Sequence, residues 1–548
     1  MSKRIKMCLL LMPSEQSLFN KYASQMPPIS YGIIAAELEK NGIDADLIDL
    51  NKAYKEAEDV KETQELLKSI YDGDKMLGFL NGEETEEIEK VVEWLLPSDI
   101  EEYDYVGCSM GADFSFSQIH LGLILGLAIK KKYGKEVILG GNNISYLYIY
   151  RDFYEELWDG ILDNFKYIIK GPGEKTICEI IEFMNNTDSK KVLEEIQGLA
   201  YKENGKVAFR EEESPVVIKP SWERLDISFY KNYLSKDETI RMNTLYKWPT
   251  WVRRWVDCFY TVKSSKSIQQ LVLPYIFNFN CIYNCAFCTQ SDSERGKIVY
   301  KASKQVVDDL EYMSNKYGTS HFYFLNNSFN YKHGVIEAFC QEVMERKLKI
   351  YWSDCARVNN LTYERLRLMK EAGCQKLVFG FESGSLKILD LVNKQLNLES
   401  LEEVLKWCYE LGILAELEVI IGLPQETEDE FMETYNFLKK NKKYINYFWT
   451  NEYFLVPNSL IGKEPEKYGI KIHYDTYTYR GLLKWNQEMF MNNQWDFPHN
   501  ARIYTFDEIN GRKSEEISIQ NKEKVNRLSK LYHKEFKEVE TFYKSMLG

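Results

Sequence analysis

The sequence is poor in the residues that punctuate or cross-link chains, with 30 Gly and 13 Pro in 548 positions. That scarcity excludes collagen-like, low-complexity and disordered classes. No long apolar run is present: the most apolar short stretch, 121–129, is about half the length that spans a bilayer and is ended by Lys130, Lys131 and Lys132. A soluble chain without membrane partners is expected. Positive charge is not in excess either, with 70 Lys+Arg against 83 Asp+Glu and a formal net charge of −13. A broad phosphate-binding surface is therefore excluded, and no nucleic-acid partner is expected. The opening residues run straight into the strand-like 7–12 without an apolar h-region or small-residue cleavage site, which predicts a cytoplasmic location. Eleven Cys spread over this length make no disulfide framework. In a reducing compartment a Cys cluster reads as metal-binding or catalytic.

What is there is an ordinary globular composition, 44% hydrophobic and 28% charged, long enough for several domains. Residues 1–200 alternate short β-branched or apolar runs (5–12, 45–48, 105–108, 136–139 and 167–170) with amphipathic stretches. This is the pattern of an open parallel α/β sheet. The acidic stretch 52–100 reads as a helical insertion on a solvated face. Residues 201–270 read as a linker, crowded with aromatics from Phe229 to Tyr260. A second βα series then occupies 271–460, with six strand candidates at 271–277, 321–325, 349–352, 376–379, 415–421 and 447–455. That series suggests a partial parallel βα barrel. The remainder, 461–548, reads as a helical C-terminal region. No internal repeat is visible.

The chemical signal is Cys281-Ile-Tyr-Asn-Cys285-Ala-Phe-Cys288, just past the first strand of the second series. A structural zinc site takes four protein ligands, and this tight set has no neighbouring fourth Cys or His. A [4Fe–4S] cube held by three Cys keeps one iron open to a small molecule's amine and carboxylate. Phe277, Phe279, Tyr283 and Phe287 are placed to shield such a cluster from water.

The Cys-x3-Cys-x2-Cys spacing after a first barrel strand resembles the signature of the radical S-adenosylmethionine (SAM) superfamily. The resemblance implies a cluster on Cys281, Cys285 and Cys288. It also implies SAM contacts at Glu382 and Ser383 in Gly380-Phe-Glu-Ser-Gly-Ser385, at Gly422 and Leu423 in Ile421-Gly-Leu-Pro-Gln-Glu-Thr427, and at Arg357. Where relatives carry paired Asp after the second strand, this chain has Asn326 and Asn327, which keep hydrogen-bonding geometry but not charge.

The first 200 residues resemble the cobalamin (B12)-binding domain that precedes the barrel in one class of that superfamily. The matching strand-end pieces imply cofactor contacts at Gly107, Ser109, Gly140, Gly141, Asn142, Gly171, Gly173 and Glu174. In such sheets ligands sit at the carboxyl ends of strands. No Asp-x-His-x-x-Gly stretch occurs, so any cobalt would lack a His ligand from that motif.

The resemblance thus implies a Rossmann-like domain followed by a TIM-like (βα)6 barrel. It implies reductive SAM cleavage to a 5′-deoxyadenosyl radical, fed by a partner such as flavodoxin or ferredoxin. It further implies methyltransferase chemistry, a cobalamin-dependent C-methylation of an unactivated carbon in a small-molecule or peptide substrate. Other readings stay open. One is a cobalamin-independent, epimerase-like peptide modification in which Cys374 or Cys355 returns hydrogen. Another is cobalamin-dependent cyclisation or rearrangement, and the last is a non-catalytic cluster-bearing binding module.

Overall fold

The computed structural model describes residues 4–19, 26–111, 116–185, 193–212, 214–235, 267–289, 298–473, 479–492 and 505–535. The aromatic residues Tyr246 to Tyr260 lie outside them. The chain divides into two compact units, one built mainly from 27–229 with 477–500, the other mainly from 230–476 with 501–548.

The first unit is built on a parallel sheet of β1 (Lys6–Leu11), β2 (Asp44–Asp49), β3 (Tyr105–Ser109), β4 (Val137–Gly140) and β5 (Tyr167–Ile168), in the order β2-β1-β3-β4-β5. Because the strand order reverses between β1 and β3, their carboxyl ends open a crevice there. The apolar run noted in the sequence lies within the helix Phe116–Tyr133, buried almost continuously from Phe116 to Leu127. A helix apolar all round belongs in a core. Among the described residues no helix is long and apolar enough to cross a membrane. The acidic stretch 52–100 is helical, with acids such as Glu62, Glu65, Glu86 and Glu87 exposed. Its helices turn Leu67, Ile70, Met76, Leu80, Ile88, Val91 and Leu95 inward, all nearly inaccessible.

Residues 477–500, grouped by the sequence pattern with the C-terminal region, cluster with this first unit. The helix Tyr479–Met491 puts the Phe490 carbonyl within 2.7 Å of Gln64 Nε2 and the Phe490 ring 4.8 Å from that of Tyr71. A hairpin of β6 (Ala200–Glu203) and β7 (Lys206–Phe209) also belongs here.

The second unit holds a seven-stranded sheet. Its strands are β8 (Lys231–Ser235), β9 (Ser267–Tyr275), β12 (His321–Phe324), β13 (Tyr351–Ala356), β14 (Cys374–Glu382), β15 (Leu414–Ile421) and β16 (Tyr447–Glu452). From β9 to β16 every neighbour is parallel and consecutive, which is a partial (βα)6 barrel. Strand β8, inside the stretch read as linker, adds itself antiparallel to β9. The pair β10 (Asn278–Phe279) and β11 (Val299–Tyr300) brackets the cysteine loop, and β17 (Ile470–His473) pairs with β18 (Thr505–Glu508) ahead of the helix Ser514–Glu535.

Period-2 alternation sends Trp352 and Phe324 outward to meet Phe277, Phe329 and Phe339 in an aromatic layer with ring centroids 4.7–6.4 Å apart. It sends Lys376 and Glu416 to the other face, where they form an ion pair at 3.0 Å with both side chains inaccessible. Trp449 Nε1 also donates to Glu416 at 3.4 Å. Fully satisfied in this way, the pair fixes the relation of β14, β15 and β16.

Candidate functional site

The cysteine loop leaves β9 at its carboxyl end, where a parallel barrel carries its chemistry. Its entry is held by Asn326, whose Oδ1 accepts the backbone N–H groups of Phe277 and Asn278, each at 3.0 Å. The Asn326 Nδ2 donates to Asp354 Oδ2 at 2.6 Å. Asp354 is itself buried, and burial raises its carboxyl well above the usual carboxylate range. Asn280 takes the left-handed conformation, φ 68°, one residue before Cys281. Downstream, Ala286 N–H donates to Val392 O at 2.8 Å and Ile461 N–H to Ala286 O at 3.1 Å.

Cys285 is buried, while Cys281 and Cys288 are partly open. Arg357, one residue past β13, reaches across to this loop. Its Nη2 donates to Cys285 Sγ at 3.1 Å, its Nη1 to Lys394 O at 2.9 Å, and its guanidinium lies 3.5 Å from the centroid of the Tyr283 ring. A planar cation that touches thiol, carbonyl and ring together fixes all three. Among the described residues no three His, Cys, Asp or Glu side chains converge on a single-ion site. A cubane asks for a different spacing, one thiolate per iron.

Beside the loop, β14 ends in Glu382 with φ 60°. Its carboxylate pairs with Lys394 at 2.7 Å, both side chains almost inaccessible, and Lys394 Nζ also lies 5.8 Å from the Phe287 ring. The bare face of Gly380 accommodates this pair, because a Cβ there would strike Lys394 Nζ and Glu382 Oε1. Ser383 Oγ sits 3.2 Å from Thr434 Oγ1 and accepts Ser385 N–H at 3.1 Å, while Gly384 N–H donates to Thr434 Oγ1 at 2.8 Å. Gly384 is required there: a Cβ would lie 2.7 Å from the Thr434 backbone.

In the first unit the carboxyl ends of β3, β4 and β5 carry Ser109, Gly140–Asn142 and Gly171–Glu174. Gly141 has φ 104°, and a Cβ there would sit 2.6 Å from the Met110 carbonyl oxygen, so the turn after β4 lies directly on the one after β3. Asn143 is buried and donates to Gln118 Oε1 at 2.9 Å, which leaves Asn142 exposed at the helix start. Gly171, φ 79°, is exposed, and its N–H meets Ser145 Oγ at 3.4 Å. His120 in this unit is fully buried; its Nδ1 faces Ile70 O and its Nε2 faces the Tyr479 hydroxyl at 2.9 Å. Burial lowers its imidazole to about 4.

Residues 275–438, from the end of β9 to the helix after β15, match the profile of the Radical SAM superfamily. That stretch of the chain is thus a Radical SAM domain. An uncharacterized methyltransferase of Pyrococcus horikoshii is 27% identical over 310 residues, 56% of this chain and 58% of the relative. The chain thus spans little more than half of that curated relative's length. The cytidylyl-2-hydroxyethylphosphonate methyltransferase of Streptomyces wedmorensis is 24% identical, over 80% of this chain and 78% of the relative. Among solved structures, the radical SAM methyltransferase TsrM of Kitasatospora setae, with cobalamin and a [4Fe–4S] cluster bound, superposes with a TM-score of 0.55 at 14% identity. The match covers 87% of this chain and 82% of that one. The likeness covers both the open sheet and the radical SAM barrel.

Several sequence expectations change once the radical SAM domain is seen in three dimensions. Cys374 opens β14 at the amino end, eight positions before Glu382. It is wholly buried, burial raises its thiol, and its Sγ faces Lys376 O at 3.8 Å, so it is a core residue rather than a hydrogen donor. Cys355 does lie in the carboxyl half of β13 and is partly exposed. Asn326 is consumed in holding the cysteine loop, and Asn327 is exposed. Gly107 lies within β3, not at its end; a Cβ would meet Leu9 and Met7 at 2.9 Å, so it is a packing glycine. Leu423 is fully buried, and the bare face of Gly422 is covered by Asn521.

Sequence reasoning missed Lys394, Thr434 and Asp354. Only Asp354 carried a signal, an acid within a barrel strand. Lys394 and Thr434 reach the site through a turn and a helix whose register the sequence leaves unspecified.

Proposed function

We propose that this chain is a cobalamin-dependent radical SAM methyltransferase acting on a small molecule or peptide. The observation that carries the proposal is the three-cysteine loop, clamped by Arg357 at the carboxyl ends of six parallel strands. The donor set fits a cluster: three thiols on one loop, one already against a guanidinium, with aromatic rings around them. The first unit fits a cobalamin without a protein ligand, because exposed Gly-rich turns gather at the strand ends and His120 is turned inward. When bound, the cluster supplies the electron that cleaves SAM and the cobalamin supplies the transferred methyl group.

The chain's own residues divide the remaining work. Arg357 holds the loop through Cys285 Sγ and the Lys394 carbonyl. The Glu382–Lys394 pair and the Ser383 hydroxyl shape a polar wall for the methionyl and ribose groups. The aromatic layer behind Phe277 keeps water from that side of the loop. A one-electron donor of the flavodoxin or ferredoxin type is the partner this chemistry requires. The partial exposure of Cys355 favours a second reading, in which its thiol returns hydrogen to a substrate radical.

Anaerobic reconstitution with iron, sulfide and hydroxocobalamin tests both. Corrinoid absorbance retained after gel filtration, together with 5′-deoxyadenosine formed from SAM and dithionite, supports the methyltransferase. Turnover without retained corrinoid supports the thiol reading, and neither overturns both.

A further inference from the structure

The helix Ser514–Glu535 is rich in Lys and Glu, the composition of a solvated face, yet it buries Asn521 and Lys524. Lys524 pairs with Glu426 at 2.7 Å, both side chains nearly inaccessible, and its ammonium also lies 3.4 Å from the carbonyls of Glu426 and Thr427. Thr427 and Glu430 close a capping box on the next helix, so the turn 422–427 is fixed from both sides. One helical turn before Lys524, the Asn521 carboxamide lies flat on the bare face of Gly422, whose φ is 86°.

The orientation of that carboxamide is set by its surroundings. Glu452, in register with Ile421 at the end of β16, accepts from Nδ2 at 3.3 Å. A carboxylate accepts only from the amino side of an amide, so Oδ1 must face the other way. There, buried, it has no donor among the described residues. Buried acceptors of native proteins are partnered, and an orphan on a rigid element at a site points to a missing donor.

We propose that Asn521 is the residue that recognises the base of the SAM nucleoside, its Oδ1 accepting from the exocyclic amine of adenine. This rests on the radical SAM reading above, in which the strand-end turn 421–427 lies beside the adenine, with Asn521 in place of the Gly422 face it covers. A carboxamide and the amine edge of adenine form a two-bond pair, and the second Nδ2 hydrogen is available for the adjacent ring nitrogen. The C-terminal helix is then part of the cofactor site and not a packing element alone.

The test is binding to the anaerobically reconstituted full chain, by equilibrium dialysis, of S-adenosylhomocysteine and of S-inosylhomocysteine, in which a carbonyl replaces the amine. The wild-type chain is expected to prefer the adenosyl compound by at least about tenfold, the scale of a single hydrogen bond lost with its buried partner left unpaired. Asn521→Ala and Asn521→Leu are expected to lose that affinity while binding the inosyl compound unchanged, so that the ratio falls to near one. A structural role would weaken both compounds together. A variant that keeps the wild-type ratio overturns the assignment. Equal wild-type affinity for the two compounds also overturns it, with no variant needed, and leaves the SAM site standing. A wild-type chain that binds neither removes the SAM site itself.

Discussion

Removing the Arg357 side chain is the perturbation that isolates what holds the cysteine loop. Its guanidinium makes hydrogen bonds of 3.1 Å to Cys285 Sγ and 2.9 Å to Lys394 O and stacks 3.5 Å from the Tyr283 centroid. A hydrogen bond to a charged group contributes about 1.5–3 kcal/mol, and a cation–π contact about 0.5–2 kcal/mol. Because one group makes all three, they do not add, and about 2 kcal/mol is the working loss for Arg357→Ala. At about 1.4 kcal/mol per factor of ten, that is a roughly 30-fold weaker hold on whatever the loop binds. The assay is anaerobic transfer of iron from the reconstituted protein to a ferrous chelator, followed by loss of the cluster absorbance. Arg357→Ala is expected to release iron about 30-fold faster than wild type. Arg357→Lys, which keeps the charge but not the fork, should fall between them. An Ala variant that holds iron as long as wild type refutes the clamp.

Three further outcomes follow from the geometry. Lys376→Met leaves Glu416 charged and buried without its cation, and should lower stability by about 3–5 kcal/mol in urea unfolding. Lys376→Met combined with Glu416→Leu should recover most of that loss, and a double variant as unstable as the single one contradicts the ion-pair account. His120, held to about 4 by burial, binds a proton more readily in the unfolded chain. Its contribution is therefore complete above about pH 6.5 and lost as the pH falls toward 4, about 2 kcal/mol of it by pH 5. Urea unfolding at pH 7 and pH 5 should show that loss in wild type and less of it in His120→Gln; equal losses would place the acid sensitivity elsewhere. Gly141→Ala, forced against the Met110 backbone at a φ of 104°, should abolish corrinoid retention while the iron content stays at the wild-type level.

The barrel and its cysteine loop were legible because their signals are local. Strand periodicity survives in single segments, and Cys281, Cys285 and Cys288 lie within eight residues. The open sheet was legible for the same reason. What escaped depends on register and tertiary approach. Gly107 and Gly141 look alike as glycines near strand ends, yet one packs inside β3 and the other makes the turn contact with Met110. Asn326 was read as a weakened cofactor ligand because its bonds to Phe277 and Asn278 cross 49 and 48 positions of sequence. Lys524 and Asn521 sit on a helix whose charged composition signals solvent, and only the long-range pair with Glu426 shows otherwise. Strand β8 was hidden in an aromatic-rich stretch, since an edge strand needs no alternation strong enough to stand out.

The proposed function requires a four-iron cluster held by three protein thiolates. Mössbauer spectra of the anaerobically reconstituted chain enriched in iron-57 should show a four-iron cluster in wild type, one iron changing its parameters when SAM is added, and none in the Cys281→Ala/Cys285→Ala/Cys288→Ala variant. A wild-type spectrum without a four-iron cluster, or a cluster that persists in that variant, would contradict it.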